Sequence, residues 1–391
     1  MQLQLSPEMQ AFREEMRTFF TTQVPKEIRD KGAARHHPTK QDFVTTQQIL
    51  NKAGLAVPHW PVEYGGRDWT PLQRHIYREE MQLAHVPEPL AFNTSMIGPV
   101  LAQFGSQEQK DRFLAKTANL DIWWCQGFSE PDAGSDLAGL RTVAVQDGDE
   151  WVVNGQKTWT TMGQHADWIF CLVRTDPTAE KKQRGISMLV FPMDTPGVTL
   201  RPIELLDGGF EVNEVFFEDV RVPSENLIGE VNKGWDQAKF LLGNERVGIA
   251  RVGGTKGMLA LAKELARETS YNGRPLLEDP RYSSRIAEIE NELVALELTA
   301  LRVVANSADG KPHPASSVLK LKGSVLQQEV TELIVDIAGP LSVASFAEEG
   351  SDVPDWARVS APEYLNYRKV SIYGGSNEVQ RVIISGTILG L

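Results

Sequence analysis

Gln126–Asp136 reads QGFSEPDAGSD, and Asn154–Thr161, further along, reads NGQKTWTT. In the first, Ser129, Gly134 and Ser135 gather hydroxyls and unhindered backbone N–H groups in one irregular loop, which suits a flat polar ring or a pyrophosphate. The same letters also read as a Gly/Ser/Asp turn entering a strand. In the second, Asn154-Gly155 signals a hairpin, with Trp159 and Thr161 two positions apart on one strand face. An indole there could cover a ring while a hydroxyl meets its edge. Equally, Trp159 reads as core and Thr161 as a strand former.

Outward from these segments the hydrophobic period changes twice. Between about 121 and 230, short β-rich runs (Trp151–Val153, Trp168–Arg174, Ile186–Phe191, Glu214–Val222) alternate with turn pairs such as Asp147-Gly148, predicting a compact sandwich or barrel. Before them, residues 1–120 are helical: Ser6-Pro7 reads as an N-cap with proline at the first helical position, followed by Phe12, Met16, Phe19 and Phe20 at helical spacing. After Gly234 the helical period returns, and residues 231–391 form a third segment. Ile286, Ile289, Leu293, Leu296 and Ala300 make one stripe, and Val318, Leu321 and Val325 followed by Val330, Leu333 and Ile337 make another, as a bundle requires. Loops are expected at 306–317 and 348–362. The fold class is α+β, helical at both ends with a central β domain at 121–230.

Composition narrows the function. The chain has 391 residues and a net charge of −12 without a long basic run, so the electrostatic footprint of nucleic-acid binding is missing. Its two cysteines, Cys125 and Cys171, form neither a disulfide framework nor a C-x-x-C spacing, which fits a reducing cytoplasm. Met1–Ser6 (MQLQLS) resembles no export signal, and no apolar run approaches the roughly 18 residues of a membrane helix. None of the histidines, at 36, 37, 59, 75, 85, 165 and 313, forms H-E-x-x-H or another helical ligand pair, so no metal is expected. Gly253-Gly254-Thr255-Lys256-Gly257 lacks the order of a phosphate loop and reads as a site of close helix packing.

Taken together, the two opening segments and their setting between helical regions resemble the acyl-CoA dehydrogenase family. The resemblance runs the length of the chain: Trp60-Pro61-Val62-Glu63-Tyr64-Gly65-Gly66, Phe104-Gly105, Val222-Pro223 with Asn226 and Gly229, and Ile372–Gln380 (IYGGSNEVQ) belong to it. It implies an N-terminal helical domain, a middle β-barrel and a C-terminal four-helix bundle, with FAD between barrel and bundle at a subunit interface. It further implies that Phe128 and Ser129 meet the flavin ring, that Ser135 lies near the pyrophosphate, that Trp159 stacks, and that Gln126 and Gly134 are among the cofactor-binding residues. Thr161 would donate to N5, and Gly375 and Ser376 would complete the cofactor contacts. Phe128 is bulkier than the usual aliphatic residue at its position.

The implied reaction is α,β-dehydrogenation of an acyl-CoA thioester, in which a carboxylate removes the α-proton and the β-hydrogen leaves as hydride to flavin N5, with electrons passing to an electron-transfer flavoprotein. Such a base must be nearly dry, because desolvation raises its pKa toward neutrality. The family's commonest base follows the tyrosine of an Ile-Tyr-Glu-Gly motif, and this chain has Ile372-Tyr373-Gly374-Gly375. Its variant pattern places the glutamate on a bundle helix before an arginine, as in Gly243-Asn244-Glu245-Arg246, so Glu245 is the candidate base and Arg246 its neighbour. Glu378 is a rival. An ordinary surface Glu-Arg pair is the alternative reading of residues 245 and 246.

The resemblance breaks where a neighbouring subunit finishes the cofactor site. Arg267–Gly273 (RETSYNG) lacks the Arg-x-x-Phe-Gly motif, and Asp336-Ile337-Ala338-Gly339-Pro340 replaces Gln-x-x-Gly-Gly-x-Gly. A heterotetramer with a paralogous subunit is therefore expected, similar to the large subunits of steroid side-chain or pimeloyl-CoA dehydrogenases. Alternatives are a non-catalytic half-site subunit and a related oxidase or desulfinase. Gly374 removes side-chain bulk and could admit a branched acyl group.

Overall fold

The computed structural model describes residues 5–305, 313–346 and 352–391; the side chains of 243–249, 304, 305, 345 and 346 fall outside that description. The chain divides into two compact units, one from Met1–Asp42, Trp69–Glu88 and Arg246–Leu391, the other from Phe43–Asp68 and Pro89–Glu245. In chain order the helices before the sheet are α1 (Pro7–Gln23), α2 (Lys26–Ala33), α3 (Lys40–Lys52), α4 (Pro71–Leu83), α5 (Gly98–Phe104) and α6 (Gln107–Asn119). After it come α7 (Gly234–Ile249), α8 (Val252–Glu268), α9 (Pro280–Ala305), α10 (Ser316–Ala338), the short α11 (Asp355–Arg358) and α12 (Ser360–Asn366), and α13 (Asn377–Ile384). Among the described residues, no helix is long and apolar enough to cross a membrane.

The sheet unit holds β1 (Trp124–Gly127), β2 (Val143–Asp147), β3 (Glu150–Thr161), β4 (Trp168–Arg174), β5 (Ile186–Pro192), β6 (Val198–Ile203) and β7 (Val212–Pro223). β1 runs parallel to β4, β5 lies antiparallel to β4, and β2, β3, β7 and β6 follow as antiparallel neighbours. β4 and β5 are buried along nearly their whole length, so they are continuous apolar runs with no alternation. Cys125, Trp151, Val153, Ile169, Leu189, Phe191, Val215 and Val222 share one core, so the sheet curls around a single apolar centre. Trp60 anchors the preceding segment by donating its indole N–H to the Thr94 carbonyl at 2.6 Å. A Cβ on Gly66 would lie 1.6 Å from the Trp60 carbonyl oxygen, and this close approach explains the glycine of that motif.

Two strand expectations need correction. Asn154-Gly155 is not a turn: the hairpin closes at Gly148-Asp149, and β3 runs straight through 154 and 155. There the pairing shifts because β7 carries an extra residue near Asp219 (φ +49°), and the Asn154 side chain exchanges two hydrogen bonds with Asp219. Gly155 is needed because a Cβ would sit 2.6 Å from the Thr142 hydroxyl and 2.7 Å from its Cα. The run expected at Trp151–Val153 is thus the start of a twelve-residue strand.

In the helical unit, Ser6 caps α1 as expected, accepting from the Met9 N–H at 3.3 Å. All five residues of the Ile286 stripe are buried along α9. The second stripe is only half right: Val330, Leu333 and Ile337 are buried on α10, but Val318, Leu321 and Val325 are only partly covered. The buried face there carries Leu319, Lys320, Gly323, Ser324, Leu326 and Gln327, because Gly323 lets α10 approach Ala250, whose Cα would be 2.7 Å from an added Cβ. Gly253 performs the same service between α8 and α4, against Gln82 and Glu79, which is the close packing expected of that glycine run. Of the expected loops, 306–312 and 347–351 lie outside the described residues, and α11 and α12 occupy part of the second.

Candidate functional site

The loop Gln126–Asp136 and the second half of β3 form one construction. Gln126 is the next-to-last residue of β1, Phe128 turns its ring into the interior against Phe170 at 5.8 Å, and Ser129 is half-buried. What Phe128 can present outward is therefore backbone. The Thr158 N–H donates to the Ser129 carbonyl at 2.9 Å, tying the loop to β3 one residue before Trp159.

Behind this tie is an ion pair that the sequence reading missed. Lys157 is 0% exposed and Glu130 7%. The Lys157 ammonium lies 2.7 Å from the Glu130 carboxylate and donates to the Phe128 carbonyl at 3.2 Å. Glu130 also accepts from the backbone N–H groups of Arg141 at 2.6 Å and Thr142 at 2.9 Å. Burial pushes the Glu130 carboxyl up, but the Lys157 charge and these hydrogen bonds outweigh it and hold the group below the ordinary carboxylate range. The irregular loop keeps its shape because every charge in its base is matched.

Trp159 is the outlier of β3. Between Lys157 and Thr160 the strand carries an extra residue relative to β7, and Trp159 adopts φ +60°. A left-handed conformation costs a bulky residue on the order of 1–3 kcal/mol, and such strain concentrates where a side chain must be aimed. Here it turns the indole outward, 58% exposed, while Thr160 on its flank is fully buried. Thr161, half-buried, closes the strand. From Trp159 to Thr161 the strand alternates exposed, buried and half-buried, and the bulge decides which side Trp159 faces.

These residues fit a flavin by two observations. An indole is held out to solvent at a conformational cost, and beside the loop Gly134 is open, with nothing within 4 Å of an added Cβ, so a bulky ligand can approach its backbone. Ser135 is exposed next to it.

The other expected site residues belong to the helical unit or to α7. Gly375 has φ +84° and its carbonyl accepts from Gln380 at 3.1 Å; Ser376 caps α13 by accepting from the Val379 N–H at 3.3 Å. Glu378 is exposed in the first turn of that helix, where backbone and Ser376 hydrogen bonds hold its carboxyl below the ordinary value. That is the reverse of a desolvated base. Glu245 and Arg246 fall in α7, and their side chains lie outside the described residues.

One histidine departs from expectation. His75 and Glu79 stand four apart on α4 and, with Glu297 of α9, bring ligand-type atoms within 4.8 Å of one another. The Lys256 ammonium lies 2.6 Å from both carboxylates and is the cation that they share.

Comparison with known proteins accounts for the arrangement along the whole chain. Three family models match in succession: acyl-CoA dehydrogenase N-terminal domain at 6–121, middle domain at 125–220 and C-terminal domain at 232–389. The chain is 36% identical to acyl-CoA dehydrogenase IpdE1 of Mycobacterium tuberculosis, over 92% of this chain and 91% of that protein. Among solved structures it is similar to a chain of the ChsE4-ChsE5 complex of M. tuberculosis, with a TM-score of 0.86 and 32% identity over 100% and 99% of the two chains. A chain of the Tcur3481-Tcur3483 steroid ACAD also gives a TM-score of 0.86, at 28% identity over 100% and 99%. Members of this family are FAD-dependent oxidoreductases. With all three domains matched in order and relatives aligned nearly end to end, this chain belongs to the acyl-CoA dehydrogenase family.

Proposed function

We propose that the chain carries out FAD-dependent α,β-dehydrogenation of an acyl-CoA thioester with Glu245 as base, delivering electrons to an electron-transfer flavoprotein in the cytoplasm. The observation that carries this reading is the strained, outward-facing Trp159 beside a loop locked by Lys157 and Glu130. Gln126, Phe128, Ser129, Gly134, Ser135, Trp159 and Thr161 would hold the cofactor, and the family resemblance adds Gly375 and Ser376 to the residues proposed to contact it. Bound flavin supplies the two-electron acceptor for the hydrogen that leaves the β-carbon. Glu245 takes the α-proton onto its carboxylate, and Arg246 sets the local field. With flavin bound, the Trp159 indole would exclude water from the ring, and the Thr161 hydroxyl would be a hydrogen-bonding group for it.

A heteromeric assembly is favoured by the C-terminal end of α10. Asp336 stands where the family's glutamine would be, and it is bonded to Arg285, while its carbonyl accepts from the Tyr282 hydroxyl at 3.2 Å. Two of the similar structures are two-component assemblies by name, one of them a steroid acyl-CoA dehydrogenase, which makes a bulky acyl group the substrate class to try first. The test is flavin per subunit and bleaching by acyl-CoA, for the chain alone and co-expressed with a paralogous subunit. Fewer flavins than chains and bleaching in the mixed assembly are expected. Near one flavin per chain in a stable homotetramer would overturn the heteromeric reading, and no bleaching in any assembly would overturn the dehydrogenase reading.

A further inference from the structure

Lys157 is fully buried in a strand whose neighbours Thr158 and Trp159 flank the candidate cofactor face, and burying an ammonium is costly unless it is paired. Pairing with Glu130 explains its stability but not its aim. Of the groups around it, the ammonium also selects the Phe128 carbonyl, at 3.2 Å. The described residues contain no cis peptide, so in the planar unit joining Phe128 to Ser129 the Ser129 N–H points opposite to that carbonyl, away from Lys157. The next carbonyl, that of Ser129, is fixed by the Thr158 N–H at 2.9 Å, so the unit cannot rotate freely. A cation bonded to a peptide oxygen draws electron density toward it and makes the N–H of the same unit a stronger donor, more so in a site of low dielectric.

We propose that Lys157 is a positioning residue for the cofactor: held by Glu130, it polarises and fixes the Phe128–Ser129 peptide so that the Ser129 N–H is a strengthened donor to the flavin ring. This rests on the flavin reading above. Glu130 has a paired role, holding the ammonium at the carbonyl while gathering Arg141 and Thr142 so that the loop cannot open. A charge-assisted donor favours the electron-rich reduced ring over the oxidised one, so the pair acts on the cofactor's reduction potential as well as on its retention.

The experiment compares the holoprotein, in whichever assembly carries flavin, with Lys157→Met, Lys157→Arg and the double variant Glu130→Gln/Lys157→Met. Readouts are flavin content, the flavin reduction potential by dye equilibration, and the visible spectrum. Lys157→Met should lose flavin about tenfold more readily, the change expected for loss of one charge-assisted hydrogen bond, and its remaining flavin should have a lower potential. Lys157→Arg should return the potential toward the wild type. The double variant restores a matched neutral pair, so a purely structural role predicts a wild-type potential for it, whereas a lowered potential in a folded, loaded protein is expected here. An unchanged potential in the loaded double variant would overturn the proposal while leaving the flavin reading intact. A wild type with no flavin in any assembly would sink the flavin reading itself.

Discussion

The sheet unit and the helical unit both bury charge, and they do it differently. In the sheet unit Lys157 meets Glu130 one to one, across 27 residues of sequence, with an irregular loop draped over the pair. In the network around Lys256 in the helical unit the charges are shared: Glu79 is bonded by Arg13 and Lys256, Glu80 by Arg13 and Arg17, and Lys256 reaches on to Glu297. That network staples α1, α4, α8 and α9, and each member except Glu297 has a second charged partner. Redundancy suits a scaffold, where any of several geometries will do. A single matched pair suits a place where one geometry is wanted, since removing either partner leaves an uncompensated buried charge.

The largest effect should therefore come from the sheet unit. Lys157→Met is expected to destabilise the protein by about 3–5 kcal/mol in thermal or denaturant unfolding, the usual cost of stranding half of a buried pair. Lys256→Met, at the centre of the helical network, should cost less, about 1.5–3 kcal/mol, because Glu79 retains Arg13. Equal losses would erase the distinction between pair and network.

A smaller difference lies in the response to acid. Burial, the largest influence on it, lowers the pKa of His75 in the helical unit, so the unfolded chain binds that proton more readily than the folded one. The stability this neutral histidine contributes is present above the unfolded value of about 6.5 and is lost as pH falls toward the lower folded value. Glu130 follows the same sign lower down: its contribution is present above about 4.3 and is lost as pH falls through its depressed folded value. Melting curves between pH 6.5 and 5 should show a decline in the wild type that is flattened in His75→Gln, while Glu130→Gln should flatten only the fall below about pH 4.3. A decline unaffected by His75→Gln would remove that histidine from the account.

The parts of the fold legible in the sequence are those whose signal is local. The Ile286 stripe of α9 repeats at helical spacing over several turns, and the Trp168–Arg174 strand is a continuous apolar run with the bounds expected of it. Asn154-Gly155 has the letters of a turn, but its partner, the extra residue near Asp219, lies far along the chain, and a turn dipeptide carries no record of what faces it. β6 escaped notice because its residues alternate between partly covered and exposed, and Pro202 dilutes the strand signal. At the site, the loop and Trp159 stand out by composition, but Lys157 does not. A lone lysine in a strand reads as a solvent-facing charge until Glu130 is placed against it. The half-buried Val318, Leu321 and Val325 show the converse, since apolar spacing could not reveal that a glycine contact would rotate a more polar face of α10 inward.

The central claim is the reaction with Glu245 as its base, and it is tested most directly by Glu245→Gln in the flavin-loaded assembly, with Glu378→Gln beside it. Oxidation of acyl-CoA coupled to an electron-accepting dye should fall by at least about a hundredfold in Glu245→Gln while its yellow absorbance is retained, as expected for loss of a general base, and should be nearly unchanged in Glu378→Gln. Undiminished oxidation by loaded Glu245→Gln would contradict the assignment.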